Sequence, residues 1–184
     1  MRPSPASRGP VRVGPDFEDE FPDADRRSTE VHATLVRTGE ALLQELDRRI
    51  QLTLGVPQPV ATALAVIEGA DGPLTPSEIS SRVIVPSATM TATLDTLERR
   101  GWIERLPNPE DRRSTLVAVT EDGRAVVDRL LPGVRELEKA SMARLTPKEL
   151  DTLMRLLSKV MAGTTEVSES DPPPLDGRRN RPKR

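Results

Sequence analysis

Arg112 and Arg113 follow Asp111 in the stretch NPEDRRS (108–114), between two short strand-like runs at 102–106 and 115–119. A guanidinium is always charged and presents a planar fork of donors that suits phosphate and base edges. At the tip of a hairpin, two of them fit a phosphate backbone or a narrow minor groove, whose negative potential draws arginine in. Asp111 beside them is placed to orient one guanidinium. As an isolated tripeptide, Asp-Arg-Arg is more often only solvated. Its setting gives it weight.

Other chemistry is sparse. The chain has no cysteine and a single histidine, His32. That excludes a disulfide framework, a thiol sensor and a thiolate metal site, and leaves little for zinc or a His-based relay. A lone His on a helix is read as structural. No G-x-S-x-G, P-loop or H-E-x-x-H pattern occurs, and the acidic residues sit mostly at helix caps and on solvated faces. The expectation is a chain that is not an enzyme and holds no cofactor or metal.

The elements before the hairpin must position it. Thr75-Pro76-Ser77-Glu78 is a capping box with proline at the first helical position, and Ile79 and Val83 give that helix an inward face. Val85 precedes Pro86 and is therefore extended. Ser87 then caps a second helix, in which Met90, Leu94 and Leu97 form one apolar stripe. The opposite face carries Ala88, Ala92, Asp95 and Arg99, flanked by Ser87, Thr89, Thr91 and Thr96. These side chains are small and hydroxyl-rich, so a groove backbone can approach closely. Gly101 supplies the left-handed stop. Helix, turn, helix and a basic-tipped hairpin make a shape suited to a nucleic-acid groove.

The chain of 184 residues carries a net charge of −2. Residues 75–113 balance six basic against six acidic side chains, so nucleic-acid binding must rest on where charges sit. No apolar run approaches the ~18 residues of a membrane span, and the N-terminus lacks the apolar core of a signal peptide. The chain reads as soluble and cytosolic. Residues 1–27 and 164–184 have the composition of disordered tails. The first holds the acidic DFEDEFPDAD, with two Phe placed to dock; the second has three consecutive prolines and ends in RRNRPKR, a basic end able to graze phosphates.

Between the tails the pattern is mainly α (α+β). Helical spacing runs over 29–53, with Val31, Leu35, Val36, Leu42, Leu43, Leu46, Ile50 and Leu54. A short helix at 60–68 ends at Gly69. Thr120 caps a helix at 121–144, where Pro132-Gly133 predicts a kink. Thr146-Pro147-Lys148-Glu149 starts a last helix to about Met161. This is more apolar helix than one small winged domain needs. The expected use is a dimer interface in which Leu42, Leu43, Leu46 and Ile50 meet Val127, Leu130, Leu131, Val134, Leu137, Leu153, Leu156 and Leu157. An intramolecular bundle is the alternative.

The stretch resembles the MarR family of bacterial winged-helix transcription regulators. The resemblance is carried by Leu97-Glu98-Arg99-Arg100-Gly101-Trp102-Ile103-Glu104-Arg105, by Pro109-Glu110-Asp111-Arg112-Arg113 and by Val119-Thr120-Glu121-Asp122-Gly123. It implies a winged helix-turn-helix core at about 57–120 within a dimer-forming domain at 28–163, flanked by long N- and C-terminal dimerisation helices at about 29–53 and 121–161. It further implies a recognition helix over 87–99 in the major groove, Arg113 in the minor groove and Arg112 on phosphate. Members often carry Arg or Asn in mid-helix, where this chain has Ala92 and Thr93; Thr96 replaces another frequent arginine. Bidentate arginine is the commonest guanine reader. Its absence points instead to thymine methyls, read by Ala88, Ala92 and the Thr methyls, and to groove shape.

The expected DNA-contacting set is Ser87, Ala88, Thr89, Thr91, Ala92, Asp95, Arg99, Asp111, Arg112 and Arg113. The function implied is a homodimeric repressor on a pseudo-palindromic double-stranded operator. By the resemblance it is released by a small aromatic or phenolic ligand in a cleft between the dimer helices and the winged domain. The rival reading is a winged-helix adapter that binds protein and never touches DNA.

Overall fold

A computed structural model describes residues 9–83, 87–111 and 113–168. Val85, Pro86, Arg112 and the outer parts of both tails lie outside the described residues, as do the side chains of Ser87 and Ala88 and hence the expected Ser87 cap. Two compact units divide the chain. One is Ala41–Glu138, and the other joins Met1–Glu40 to Lys139–Arg184.

The unit Ala41–Glu138 is a winged helix-turn-helix. It holds the second half of α2 (Arg26–Leu54), then α3 (Gln58–Glu68), α4 (Pro76–Arg82), α5 (Ser87–Arg99), β1 (Ile103–Pro107), β2 (Thr115–Val119) and most of α6 (Glu121–Met142). Helix α2 stops at Gly55, whose φ of 63° is in the left-handed region that glycine adopts without a Cβ penalty. Asp47 reaches forward from α2, and its Oδ1 accepts the Gln58 N–H at 2.8 Å, satisfying a free donor at the start of α3. Helix α3 is the centre of the core: Val60, Ala61, Ala63, Leu64 and Ile67 are all buried. Burying each large aliphatic side chain there contributes about 1.5–3 kcal/mol.

Helix α4 begins at the expected capping box, with the Glu78 N–H donating to Thr75 Oγ1 at 3.3 Å and the Thr75 N–H to Glu78 Oε2 at 2.7 Å. Those Thr75 donors, the backbone N–H first, hold the Glu78 carboxyl below its usual range. Helix α5 buries Met90, Leu94 and Leu97 as the stripe requires, and also Thr93. It ends at Gly101 (φ 72°), and the Trp102 N–H closes back on Leu97 O at 3.0 Å, a Schellman stop. The wing strands pair antiparallel from Ile103↔Val119 to Pro107↔Thr115. Leu74 adds an isolated antiparallel bridge to β2, exchanging both backbone hydrogen bonds with Val117 at 3.0 and 2.8 Å. Thr120 caps α6: its Oγ1 accepts the Gly123 N–H at 3.0 Å and donates to Gly101 O at 2.7 Å. Helix α6 continues through Pro132 to Met142, two residues short of the expected end.

Part of the dimer expectation is corrected here. Ile50, Val127 and Leu130 are buried within this unit, and Leu46, Leu131 and Val134 pack against the same cluster. A helix bordering a small sheet needs its own apolar stripe covered, and the α3–α5 core supplies that cover within one chain. Leu42 and Leu43 remain exposed.

The other unit includes residues 9–27, part of the segment expected as a disordered tail. Glu30, buried at 7 % exposure, gathers them. Its Oε2 accepts from the Arg12 guanidinium at 2.7 Å and its Oε1 from the Val13 N–H at 3.0 Å. The Val11 N–H donates to Thr34 Oγ1 at 2.9 Å, and Arg26 reaches Val13 O at 3.3 Å. Composition weighs a segment's own apolar content; this one is held by polar groups on a neighbouring helix. Phe17 and Phe21, on and just after the short α1 (Phe17–Glu20), pack on each other with ring centres 5.3 Å apart. Helix α7 (Pro147–Ser168) starts at the second capping box, with the Thr146 N–H donating to Glu149 Oε2 at 2.8 Å. It runs seven residues beyond Met161, into the segment expected to be a tail. No α7 residue is buried. Leu150, Met154, Leu156, Val160, Met161 and Val167 are exposed, as are Val31, Leu35 and Val36 in the first half of α2. Among the described residues no single helix is long and apolar enough to cross a membrane.

Candidate nucleic-acid interface

Burying Met90, Thr93, Leu94 and Leu97 fixes which face of α5 is left over. Thr89, Thr91, Ala92, Asp95 and Arg99 are exposed on it. Thr93 faces inward at 4 % exposure, so it is not placed to meet a base. Thr96 is half-buried, and its hydroxyl donates to Ala92 O at 2.8 Å while accepting from Arg99 Nη2 at 3.1 Å. Arg99 is thus steadied at the C-terminal end of the helix, where a cation also complements the helix dipole.

The wing tip is folded by its own side chains. Asn108 Nδ2 donates to Ser114 Oγ at 2.7 Å, and Asn108 Oδ1 accepts the Glu110 N–H at 3.0 Å. Asp111 Oδ1 accepts the Arg113 N–H at 2.9 Å, and the Ser114 N–H donates to Asp111 O at 3.0 Å. Asn and Asp commonly shape turns in this way. Asp111 therefore holds backbone; among the described residues it forms no ion pair with Arg113, and Arg112, the other guanidinium it was expected to orient, lies outside the described residues. The Arg113 side chain is exposed on this pre-shaped turn.

Three residues outside the expected set organise the face. Arg105 on β1 donates to Asp95 Oδ1 at 2.5 Å and to Glu98 Oε2 at 2.9 Å. Arg100 donates to Leu54 O and Gly55 O at 3.3 and 3.1 Å, and its guanidinium lies 5.1 Å from the Trp102 ring centre. It thus ties the end of α5 to the end of α2. Gly123, buried, brings α6 against the backbone of Trp102: a Cβ there would sit 2.0 Å from Trp102 O. Nothing local in the sequence announces the partners of Arg100 or Arg105, which lie on other elements. Among the described residues no three His, Asp or Glu side chains gather as a metal site would need.

The residues that build this face are those that match known proteins. Residues 69–115 match the MarR family. A mutant of MarR from E. coli, solved in complex with operator DNA, is 30 % identical, with 78 % of this chain and 96 % of that one covered at a TM-score of 0.59. The chain belongs to the MarR family. The multiple antibiotic resistance protein MarR of Salmonella typhimurium is 40 % identical over 92 residues, 49 % of this chain and 63 % of that protein. The matched part therefore spans less than two thirds of that relative. The transcriptional regulator PecS of Dickeya dadantii is 29 % identical over 145 residues, 78 % of this chain and 87 % of its own. MarR-family relatives are transcription regulators, not enzymes. The matched stretch of this member runs from before α4 through α5 and β1 to the wing tip.

Proposed function

We propose that this MarR-family chain is a homodimeric, sequence-specific regulator of transcription that binds double-stranded DNA in the cytoplasm, at the nucleoid. The observation that carries the reading is the pairing, on one unit, of an exposed small-residue face of α5 with Arg113 on a hydrogen-bonded wing tip. The helix would enter the major groove and the wing arginine the minor groove. Ser87, Ala88, Thr89, Thr91, Ala92, Asp95 and Arg99 would face the major groove; Asp111, Arg112 and Arg113 would serve the wing. The operator-bound relative from E. coli supports the DNA part.

The face has few donors besides Arg99. Thymine methyls meeting Ala92 and the Thr methyls, together with groove shape, are the readout it suits. The exposed apolar residues of α2 and α7 support a second copy as partner. Two recognition helices about 34–36 Å apart would read a pseudo-palindrome. Repression, and release by a small aromatic or phenolic ligand that prefers the DNA-free state, complete the proposal.

Selection of duplexes from a random pool, followed by footprinting with and without phenolic ligands, tests it. An A·T-rich inverted repeat is expected; a native chain that retains no duplex removes the DNA reading and leaves the protein adapter. Light scattering at micromolar concentration should report a dimer, and a monomer overturns that part.

A further inference from the structure

Arg105 occupies a position the proposed contacts do not use. Side chains alternate along β1, so Arg105 shares the face of Ile103, which is buried against the core. From that face its guanidinium meets α5. Nη2 reaches Asp95 Oδ1 at 2.5 Å and Nε reaches Glu98 Oε2 at 2.9 Å. Asp95 and Glu98 stand three apart on α5, where like charges repel. Asp95 is also exposed one turn from Thr91 and Ala92, on the face meant for the groove. Duplex DNA carries one negative charge per about 1.7 Å of axis. Two bare carboxylates on such a face would oppose its entry.

We propose that Arg105 is a positioning residue for DNA binding: it masks Asp95 and Glu98 and fixes the wing strand to the recognition helix, so that α5 can approach phosphate-lined walls. The inference rests on the DNA-binding reading above. The two carboxylates alone carry −2, and with the guanidinium the three side chains carry −1. Its two bonds run to adjacent turns of α5, which ties the helix to the strand that leads to the wing. Arg105 is itself only 29 % exposed and has both carboxylates as partners, so it acts through them and not by reaching a phosphate.

The test uses the full chain and a fluorescent duplex taken from the selection, titrated at several salt concentrations. Arg105→Gln should weaken binding by about tenfold at low salt, and the loss should shrink as added salt screens the exposed carboxylates. Adding Asp95→Asn and Glu98→Gln to that variant should restore affinity to within about threefold of native, the scale of an exposed ion pair. The same two carboxamides in the otherwise native chain should gain much less, because their charge is already masked. Equal gains in both backgrounds, or no rescue, overturn the proposal and leave a purely mechanical clamp. Arg105→Lys decides the matter even if the Gln variant fails to fold. Charge without the fork should keep affinity within about threefold, and a tenfold loss overturns masking. A native chain that binds no duplex overturns the DNA reading and this inference with it, an outcome distinct from weak binding without rescue.

Discussion

Gly123→Ala sets two effects of opposite sign against each other. Gly123 sits in the first turn of α6, where alanine is the better helix former by about 0.5–1 kcal/mol. The added Cβ, however, would lie 2.0 Å from Trp102 O and 2.9 Å from Val119 Cγ2, with real contacts essentially never closer than 3.0 Å. The carbonyl would have to retreat by about 1 Å, as overpacked groups must. That oxygen is backbone, and it accepts the Thr120 N–H at 3.1 Å. The retreat therefore also stretches the bond that seats the cap residue of α6 beside the base of the wing. Overpacking costs about 1–3 kcal/mol, and a lost hydrogen bond about 0.5–1.5. The net expectation is a loss of about 0.5–4 kcal/mol once the helix-propensity gain is set against these. For a chain of this size, that lowers the melting temperature by roughly 1–16 °C. The assay is thermal unfolding followed by far-ultraviolet circular dichroism, at one protein concentration because self-association shifts the midpoint. Gly133→Ala is the control: it lies in the same helix and its added Cβ meets nothing within 4 Å, so it should stabilise. An unchanged or raised melting temperature for Gly123→Ala would refute the packing argument.

Three further outcomes are expected. Arg113→Ala should weaken duplex binding by about 1–3 kcal/mol and reduce the salt slope; unchanged affinity and slope in a titration would remove it from the interface. Glu30→Ala should free the segment held by Arg12 and Val13, so that trypsin cleaves after Arg12 faster than in the native chain; equal rates would mean that Glu30 does not hold it. Glu45 is held at a pKa of about 2, down from 4.5, by hydrogen bonds from Arg48 and then Arg49. Its stabilising contribution is therefore complete above pH 4.5 and fades as the pH falls toward 2. Glu45→Gln should flatten the acid limb of a stability–pH curve over that window; a limb identical to the native one would show that these exposed pairs contribute nothing.

Local signals in this chain were legible because their causes are local. The two capping boxes need only four residues each, and both form around Thr75 and Thr146. The Met90, Leu94 and Leu97 stripe needs only the helical period, and the Gly101 stop only the left-handed φ that glycine tolerates. Strand placement on either side of the wing followed from alternation and turn residues. Helix ends were less secure, as α7 shows by running on to Ser168. Nothing in a polar, low-aromatic segment signals that it must stop when its neighbours are good helix formers.

The order of elements, the inward stripe of α5 and the place of Arg113 between the wing strands follow from spacing along the chain alone. The tertiary structure alone decided which polar groups meet. It carries Arg105 from β1 to Asp95 and Glu98, places Arg100 over Trp102, turns Asp111 to the Arg113 N–H, and ties Arg12 and Val13 to Glu30. It also moved Ile50, Val127 and Leu130 from a supposed interface into the core. Charged and apolar side chains are indifferent to distance along the sequence. Their partners are set by which surfaces the helices must bury against one another, and that is settled only when the chain has folded.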